Sequence, residues 1–228
     1  MSSSTQTEKG SPLPSIFSWL VTILVPIALT MTAVRLMLSP LYIQTEYRIP
    51  GFPDDPYGFT QEERLKYADN ARVYLLNSAG INFLSDLSFA SGESLYNERE
   101  LGHMLDVKNV VQAALKVWYA TLILLAGLGA WAWFGGWRRE YGRGLGRGGW
   151  LTVILFGTIL VLVILSFGFV FVAFHNVFFA AGTWTFNYSD TLIRLFPERF
   201  WRDIFIAVGG LTMLAGFLLG WFFGRKRV

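Results

Sequence analysis

The sequence predicts an all-α polytopic membrane protein, with four transmembrane helices and a helical extracytoplasmic segment between spans one and two. Three observations carry this. Hydrophobic residues make up 53% of the 228 residues and charged ones only 15%. Four apolar runs, 16–38, 110–134, 150–174 and 204–224, reach the roughly 20 residues that a helix needs to cross a bilayer. Trp19, Trp118, Trp131, Trp150, Trp201 and Trp221 fall near the ends of these runs, at the headgroup depth that indoles favour. A soluble bundle is the competing reading, but helices this apolar on every side have no polar face to offer water.

The elements follow in order. Residues 1–15 are a polar N-terminus. The first run, 16–38, exceeds the 7–15 apolar residues of a cleavable signal peptide, and no small-x-small cleavage site follows it, so it is expected to stay as an anchor. Segment 39–109 holds six basic and eleven acidic residues, a net of −5. Segment 135–149 instead carries Arg138, Arg139, Arg143 and Arg147, and the tail 225–228 carries Arg225, Lys226 and Arg227. Positive charge marks the cytoplasmic side. That makes 135–149 a cytoplasmic Arg-rich loop, places both termini inside, and puts 39–109 and the loop 175–203 outside.

Within 39–109, Pro50 to Gly58 reads as turns. Thr60 with Glu63 then forms a capping-box signature. The helix that follows places Leu65, Ala68, Ala71, Tyr74 and Leu75 near helical spacing, with Glu62, Lys66, Asp69 and Arg72 on its other face. That pattern fits a helix lying on the membrane surface or over the ends of the spans. A second start, Asn97 with Glu100, predicts a helix from about Glu98 that continues unbroken into the second span.

Several function classes are excluded. With no cysteine in the chain, disulfides, cysteine nucleophiles and cysteine lipidation are out. There is no G-x-S-x-G elbow, no H-E-x-x-H and no Cys/His metal spacing, so neither a metal site nor a cofactor is expected. The arginines read as topology signals with anionic-lipid contact as a secondary effect, and nothing supports nucleic-acid binding.

What remains is the chain's only two histidines. His103 sits in "RELGHMLDVKNVV", with Glu100 and Asp106 three residues to either side. His175 sits in "FVAFHNVFFAAGTWTFNYSD". From the expected span ends, at about 1.5 Å rise per residue, His175 lies about 7 Å beyond the hydrocarbon and His103 about 10 Å, or nearer about 18 Å if the core starts only after Lys116. The second and third spans are antiparallel neighbours on a short connection, so both rings fall on one side. Groups that titrate near neutrality are the usual proton-transfer groups.

The motif in "ELGHMLDVKNVV" resembles the H-L/M-x-D-V motif of a family of four-span bacterial integral membrane proteins, the lipoprotein intramolecular transacylase (Lit)-like family. The resemblance continues through "FHNVFF" and "WTFNYSDTLIRLFPERFWRD". It implies an acyltransferase of the bacterial plasma membrane that moves the sn-2 acyl chain of a diacylglyceryl-cysteine lipoprotein to that protein's own N-terminal amine. The product is a lyso-form lipoprotein. The implied partners are such lipoproteins and membrane phospholipid, with no cofactor. The resemblance assigns His103 and His175 as catalytic. His103 is expected as general base, with Glu100 or Asp106 orienting it, and His175 as second proton-transfer group or ester-polarising donor; these roles are exchangeable.

Asn187 and Asp190 are expected either to support His175 or to cap the turn after the third span. Arg99 and Lys108 are candidates for headgroup phosphate or carbonyl oxygens, and Trp184 for packing in lipid or lining an acyl groove. Two readings from other classes stand beside this one: a non-enzymatic membrane scaffold or partner-binding protein, and a small transporter or channel subunit. Ionisable residues deep in the spans would favour the second, and they are nearly absent.

Overall fold

The computed structural model describes residues 13–225. Most of the expected N-terminal segment 1–15, and Lys226 and Arg227 of the expected tail, lie outside the described residues. The described residues fold into eight helices: α1 (Leu13–Met37), α2 (Pro40–Glu46), α3 (Gln61–Leu76), α4 (Asn82–Ser85), α5 (Glu98–Phe134), α6 (Arg138–Phe178), α7 (Thr191–Leu195) and α8 (Glu198–Gly224). Among the described residues there is no strand beyond one isolated bridge, Ser88 to Ser94. Helices α1, α5, α6 and α8 are long and apolar enough to cross a membrane. The short helices and their loops form a cap at one end of this bundle, and the turn between α5 and α6, with the arginines of early α6, marks the other.

Both capping boxes form. The Thr60 side chain accepts from the Glu63 backbone while Glu63 reaches back to the Thr60 N–H, and Asn97 and Glu100 do the same at the start of α5. Each box satisfies two donors that a helix start would otherwise leave unpaired. Helix α5 then runs unbroken for 37 residues. The segment 135–149 is mostly helical: α6 begins at Arg138, so only residues 135–137 separate it from α5.

The glycines of "GRGLGRGG" have a packing reason. A Cβ at Gly144 would lie 2.6 Å from the Ser18 carbonyl oxygen of α1, and one at Gly149 only 2.5 Å from the Gly216 carbonyl oxygen of α8. Lipid tails are as apolar as leucine, so membrane helices associate by close backbone approach rather than by expelling water. Polar side chains add to the α1–α6 seam. Ser18 donates to the Glu140 carbonyl at 2.6 Å and accepts from Arg147 at 2.7 Å. Helices α1, α6 and α8 thus form one tightly packed block. Helix α5 joins it more sparingly, through Trp118 Nε1 to Thr32 Oγ1 (3.0 Å), Tyr141 Oη to the Leu125 carbonyl (2.9 Å) and the edge contact of Phe17 with Trp131.

The cap has its own core, in which Phe59, Tyr67, Tyr74, Leu84, Leu95, Met104 and Leu195 pack together. A buried ion pair fastens the turn-rich 50–58 loop to α7: Arg194 meets Asp55 at 2.9 Å and lies 3.7 Å over the Phe59 ring. Burial pushes the Asp55 carboxyl up, but hydrogen bonds from Arg194 and from the Phe59 N–H outweigh it and hold the group below the usual carboxylate range. Helix α6 is interrupted at Ser166, whose φ/ψ of −156°/75° is not helical. With no proline there, the break falls at a Ser/Gly-containing stretch, Ser166 to Gly168, where kinks are common. It re-aims the last third of α6, including His175, beneath the cap.

Candidate active site

The site is built where the start of α5, the end of α6 and the cap converge. His103 and His175 are 9% and 7% exposed, and their rings lie nearly parallel, with centroids 6.3 Å apart and an interplanar angle of 23°. Aromatic rings enclose them. Phe179 stands edge-on to His103 at 4.9 Å, and Phe186 lies 5.4 Å from it. Phe171 and Trp184 lie 4.0 and 4.7 Å from His175.

His175 has a defined tautomer. Its Nδ1 is 2.8 Å from the carbonyl oxygen of Phe171, one turn earlier in α6. A carbonyl only accepts, so Nδ1 carries the hydrogen and Nε2 is left with its lone pair. His103 is not fixed in this way: its Nδ1 is buried without a hydrogen-bond partner.

Of the two acids expected to orient His103, Glu100 is engaged elsewhere. Glu100, 1% exposed, accepts the Asn97 N–H at 2.9 Å and the Leu192 N–H at 2.7 Å, so it ties the start of α5 to α7. Burial pushes proteins to satisfy such backbone donors, and a capping carboxylate is well placed to do so. Asp106 is exposed.

Asp190 does not reach His175. It binds Arg99 at 2.9 Å and accepts the Asn187 N–H at 2.8 Å, closing the turn before α7. Of the two expectations for this pair, the structure contains the turn. Arg99 also lies 5.5 Å over Phe186, at the edge of the histidine site. Lys108 donates to Asn77 Oδ1 and to the Ala79 carbonyl, 4.0 Å over the Tyr74 ring, and so anchors the loop after α3. Among the described residues no three histidine or carboxylate side chains are grouped as a metal would require.

The two histidines open onto a cavity of about 490 Å³. It reaches from Trp184 and Phe179 under the cap to Thr30 of α1, Phe156 of α6 and Val208 of α8, and almost all its lining is apolar. Sequence reasoning placed none of the α1 and α8 residues here. They are far from the histidines along the chain, and nothing local distinguishes them from lipid-facing residues. Phe171 was equally invisible, because its contribution is a backbone carbonyl.

Residues 16–201 match the profile of the family described as lipoprotein intramolecular transacylase Lit. The chain belongs to that family. The Lit fold is seen in the crystal structure of the membrane-integral transacylase Lit from Bacillus cereus, to which this chain is similar with a TM-score of 0.70 and 21% identity over 93% of this chain and 98% of that one. A histidine-substituted form of the same Bacillus cereus protein matches with a TM-score of 0.61 and 21% identity, covering 92% and 93% of the two chains. A protein of Aquifex aeolicus is 29% identical over 90% of this chain and 91% of its own length. Membership in Lit supports an acyltransferase function with lipoprotein substrates, in a multi-pass plasma-membrane protein.

Proposed function

We propose that this chain transfers the sn-2 acyl chain of a diacylglyceryl-cysteine lipoprotein to the N-terminal amine of the same lipoprotein, by histidine acid–base chemistry at the outer membrane face. The observation that carries this reading is the His103–His175 pair, with the His175 tautomer set by Phe171, at the mouth of a long apolar cavity. In this reading the cap faces outward and the arginine-rich end faces the cytoplasm, in keeping with the charge bias of the connections. The cavity then holds acyl chains below the headgroup plane, and the histidines meet the ester and amine at its top.

The chemistry follows from the substrate. An α-amine has an unperturbed pKa of about 7.7–8, so near neutrality much of it is protonated and cannot attack. His175 Nε2 takes an amine proton as nitrogen attacks the ester carbonyl, and its Nδ1–H bond to Phe171 gains strength as the ring becomes positive. The carbon–oxygen bond to the glycerol sn-2 position then breaks, and the leaving oxygen receives a proton from the imidazole pair. Counted from the neutral amine, one proton leaves nitrogen and one reaches oxygen, and the fraction that starts as ammonium first gives one proton to solvent, so no cofactor is needed. The geometry favours His175 over His103 as the base, the exchange that the sequence left open. Holding amine and ester together contributes toward the roughly 7–11 kcal/mol that good positioning supplies.

The test is expression in a bacterial host that makes diacylated lipoproteins and lacks N-acylation, followed by mass spectrometry of lipoprotein N-termini. The expected result is an N-acyl, lyso-form species of unchanged total acyl mass. Unaltered N-termini despite a well-expressed, membrane-inserted chain would overturn the proposal.

A further inference from the structure

One polar atom beside the histidines has no role in the steps above. Trp184 lies 4.7 Å from His175, ring centroid to ring centroid, and 6.4 Å from Phe171, the residue that fixes the His175 tautomer. It lines the same apolar cavity as both histidines. Its indole Nε1 is buried and has no hydrogen-bond partner. An indole N–H only donates, and buried indoles usually find an acceptor because an unmade bond carries the full desolvation cost. The Trp118 indole meets that rule through Thr32. An unpartnered donor on a ring that lines the cavity, beside a base whose lone pair is free, is what an oxyanion site requires before its substrate arrives.

We propose that the Trp184 indole N–H is the donor to the ester carbonyl oxygen undergoing transfer, and therefore a catalytic residue for the acyl transfer, resting on the function proposed above. As the amine nitrogen forms its bond to the carbonyl carbon, the carbonyl π pair moves onto oxygen, and Nε1–H donates to that oxyanion. As the pair returns, the bond from carbon to the glycerol oxygen breaks, and the glycerol oxygen takes the proton that His175 removed from nitrogen. The donor is neutral, so it neither gains nor loses a proton and is the same after turnover. A neutral donor also suits this place, where an unpaired cation among so many aromatic and aliphatic side chains would be costly. In low-dielectric surroundings one hydrogen bond to developing negative charge is worth far more than in water.

The geometry further separates the donor from the tautomer. The Phe171 carbonyl is already taken by His175, so substitution of Trp184 leaves that bond in place. It also removes no hydrogen bond made within the protein, so a structural loss from the missing N–H alone is not expected.

The experiment compares three forms of the full chain in lipid nanodiscs on a synthetic diacylglyceryl-cysteine peptide: wild type, Trp184→Phe, and a protein carrying 3-benzothienylalanine at 184, which replaces N–H by sulfur and keeps the ring. Both altered forms should lose roughly 10²–10³-fold in kcat, the usual cost of one oxyanion donor, with KM and melting temperature close to wild type. If the sulfur form turns over at the wild-type rate, Trp184 serves only by packing and the donor role is overturned, whatever Trp184→Phe does. A loss confined to KM also overturns it. An inactive wild type overturns the underlying acyl-transfer reading, and this assignment with it. An active wild type with fully active variants overturns this assignment alone.

Discussion

The substitution His175→Asn separates catalysis from structure more cleanly than alanine does. Asparagine Nδ2 occupies nearly the position of histidine Nδ1, so the donor to the Phe171 carbonyl, 2.8 Å away, survives the change. The lone pair at Nε2 does not, because asparagine has no atom there. Aromatic contacts with Phe171 and Trp184 are lost, and the side chain is smaller in a site that is 7% exposed. Aromatic pairs are worth about 0.5–1.5 kcal/mol each, so a total near 2 kcal/mol is the expected structural cost. In a chain of this size that lowers the melting temperature by roughly 4–8 °C, at about 2–4 °C per kcal/mol. A general base contributes about 10²–10⁴ in rate, or some 2.7–5.4 kcal/mol of barrier. The rate effect therefore exceeds anything that partial unfolding explains at 25 °C. The assay is N-acyl product formation by liquid chromatography and mass spectrometry, on purified protein in nanodiscs at matched concentration. Turnover within about threefold of wild type, well short of the general-base range, would refute the assignment of His175 Nε2 as the base. The same substitution at His103 removes a ring with no bonded Nδ1, so there only the loss of turnover, and not a carbonyl contact, is at stake.

Two further outcomes are expected. Glu46 of α2 is 2% exposed and faces Asp203 and Tyr42, with Arg199 as the nearest cation; burial first, and the neighbouring Asp203 next, push its carboxyl up to about 7. Between about 4.5 and 7 the unfolded chain is ionised at this position while the folded one stays neutral, so this group's contribution to stability is full below that window and is lost as pH rises through it. Thermal melts across that range should show the decline, and Glu46→Gln should flatten it; an equal slope in the variant would refute the argument. The proposed orientation predicts that an impermeant thiol reagent added to intact cells labels Asp86→Cys in the cap and not Arg139→Cys at the start of α6, with no native cysteine to confuse the readout. The reverse pattern would invert the topology.

What the sequence made legible was whatever is written locally. The four spans are a matter of continuous hydropathy. The two capping boxes are matters of three-residue spacing at Thr60 and Asn97, and both formed. That both histidines fall at one end of the bundle follows from two antiparallel helices on a short turn. The roles of their neighbours were not local. Glu100 is three residues from His103, which reads as a histidine–acid pair, yet its acceptors' partners are the Asn97 and Leu192 backbones, the latter 92 residues away. Helix α7, five residues long, has no periodicity to read and is held by tertiary contacts of this kind. Asp190 could be placed at the turn or at His175, and its bonds to the Asn187 N–H and to Arg99, 91 residues away, distinguish them. The stretch 135–149 reads as an Arg-rich loop because its arginines stand out, whereas its glycines let helix backbones touch in a bilayer.

The glycine seam has a mechanical corollary. The seam packs α1, α6 and α8 closely up to the Ser166 break, and beyond it Phe174 meets Phe205 of α8, so His175 sits on that block. His103 rides on α5, which is hung from that piece by a few side-chain bonds in the spans and by Glu100 and Lys108 in the cap. The gap between the imidazoles is thus the spacing of a pair of jaws, with the cap as their clasp. Under the proposed mechanism, a change that loosens the clasp alters the rate without touching either ring.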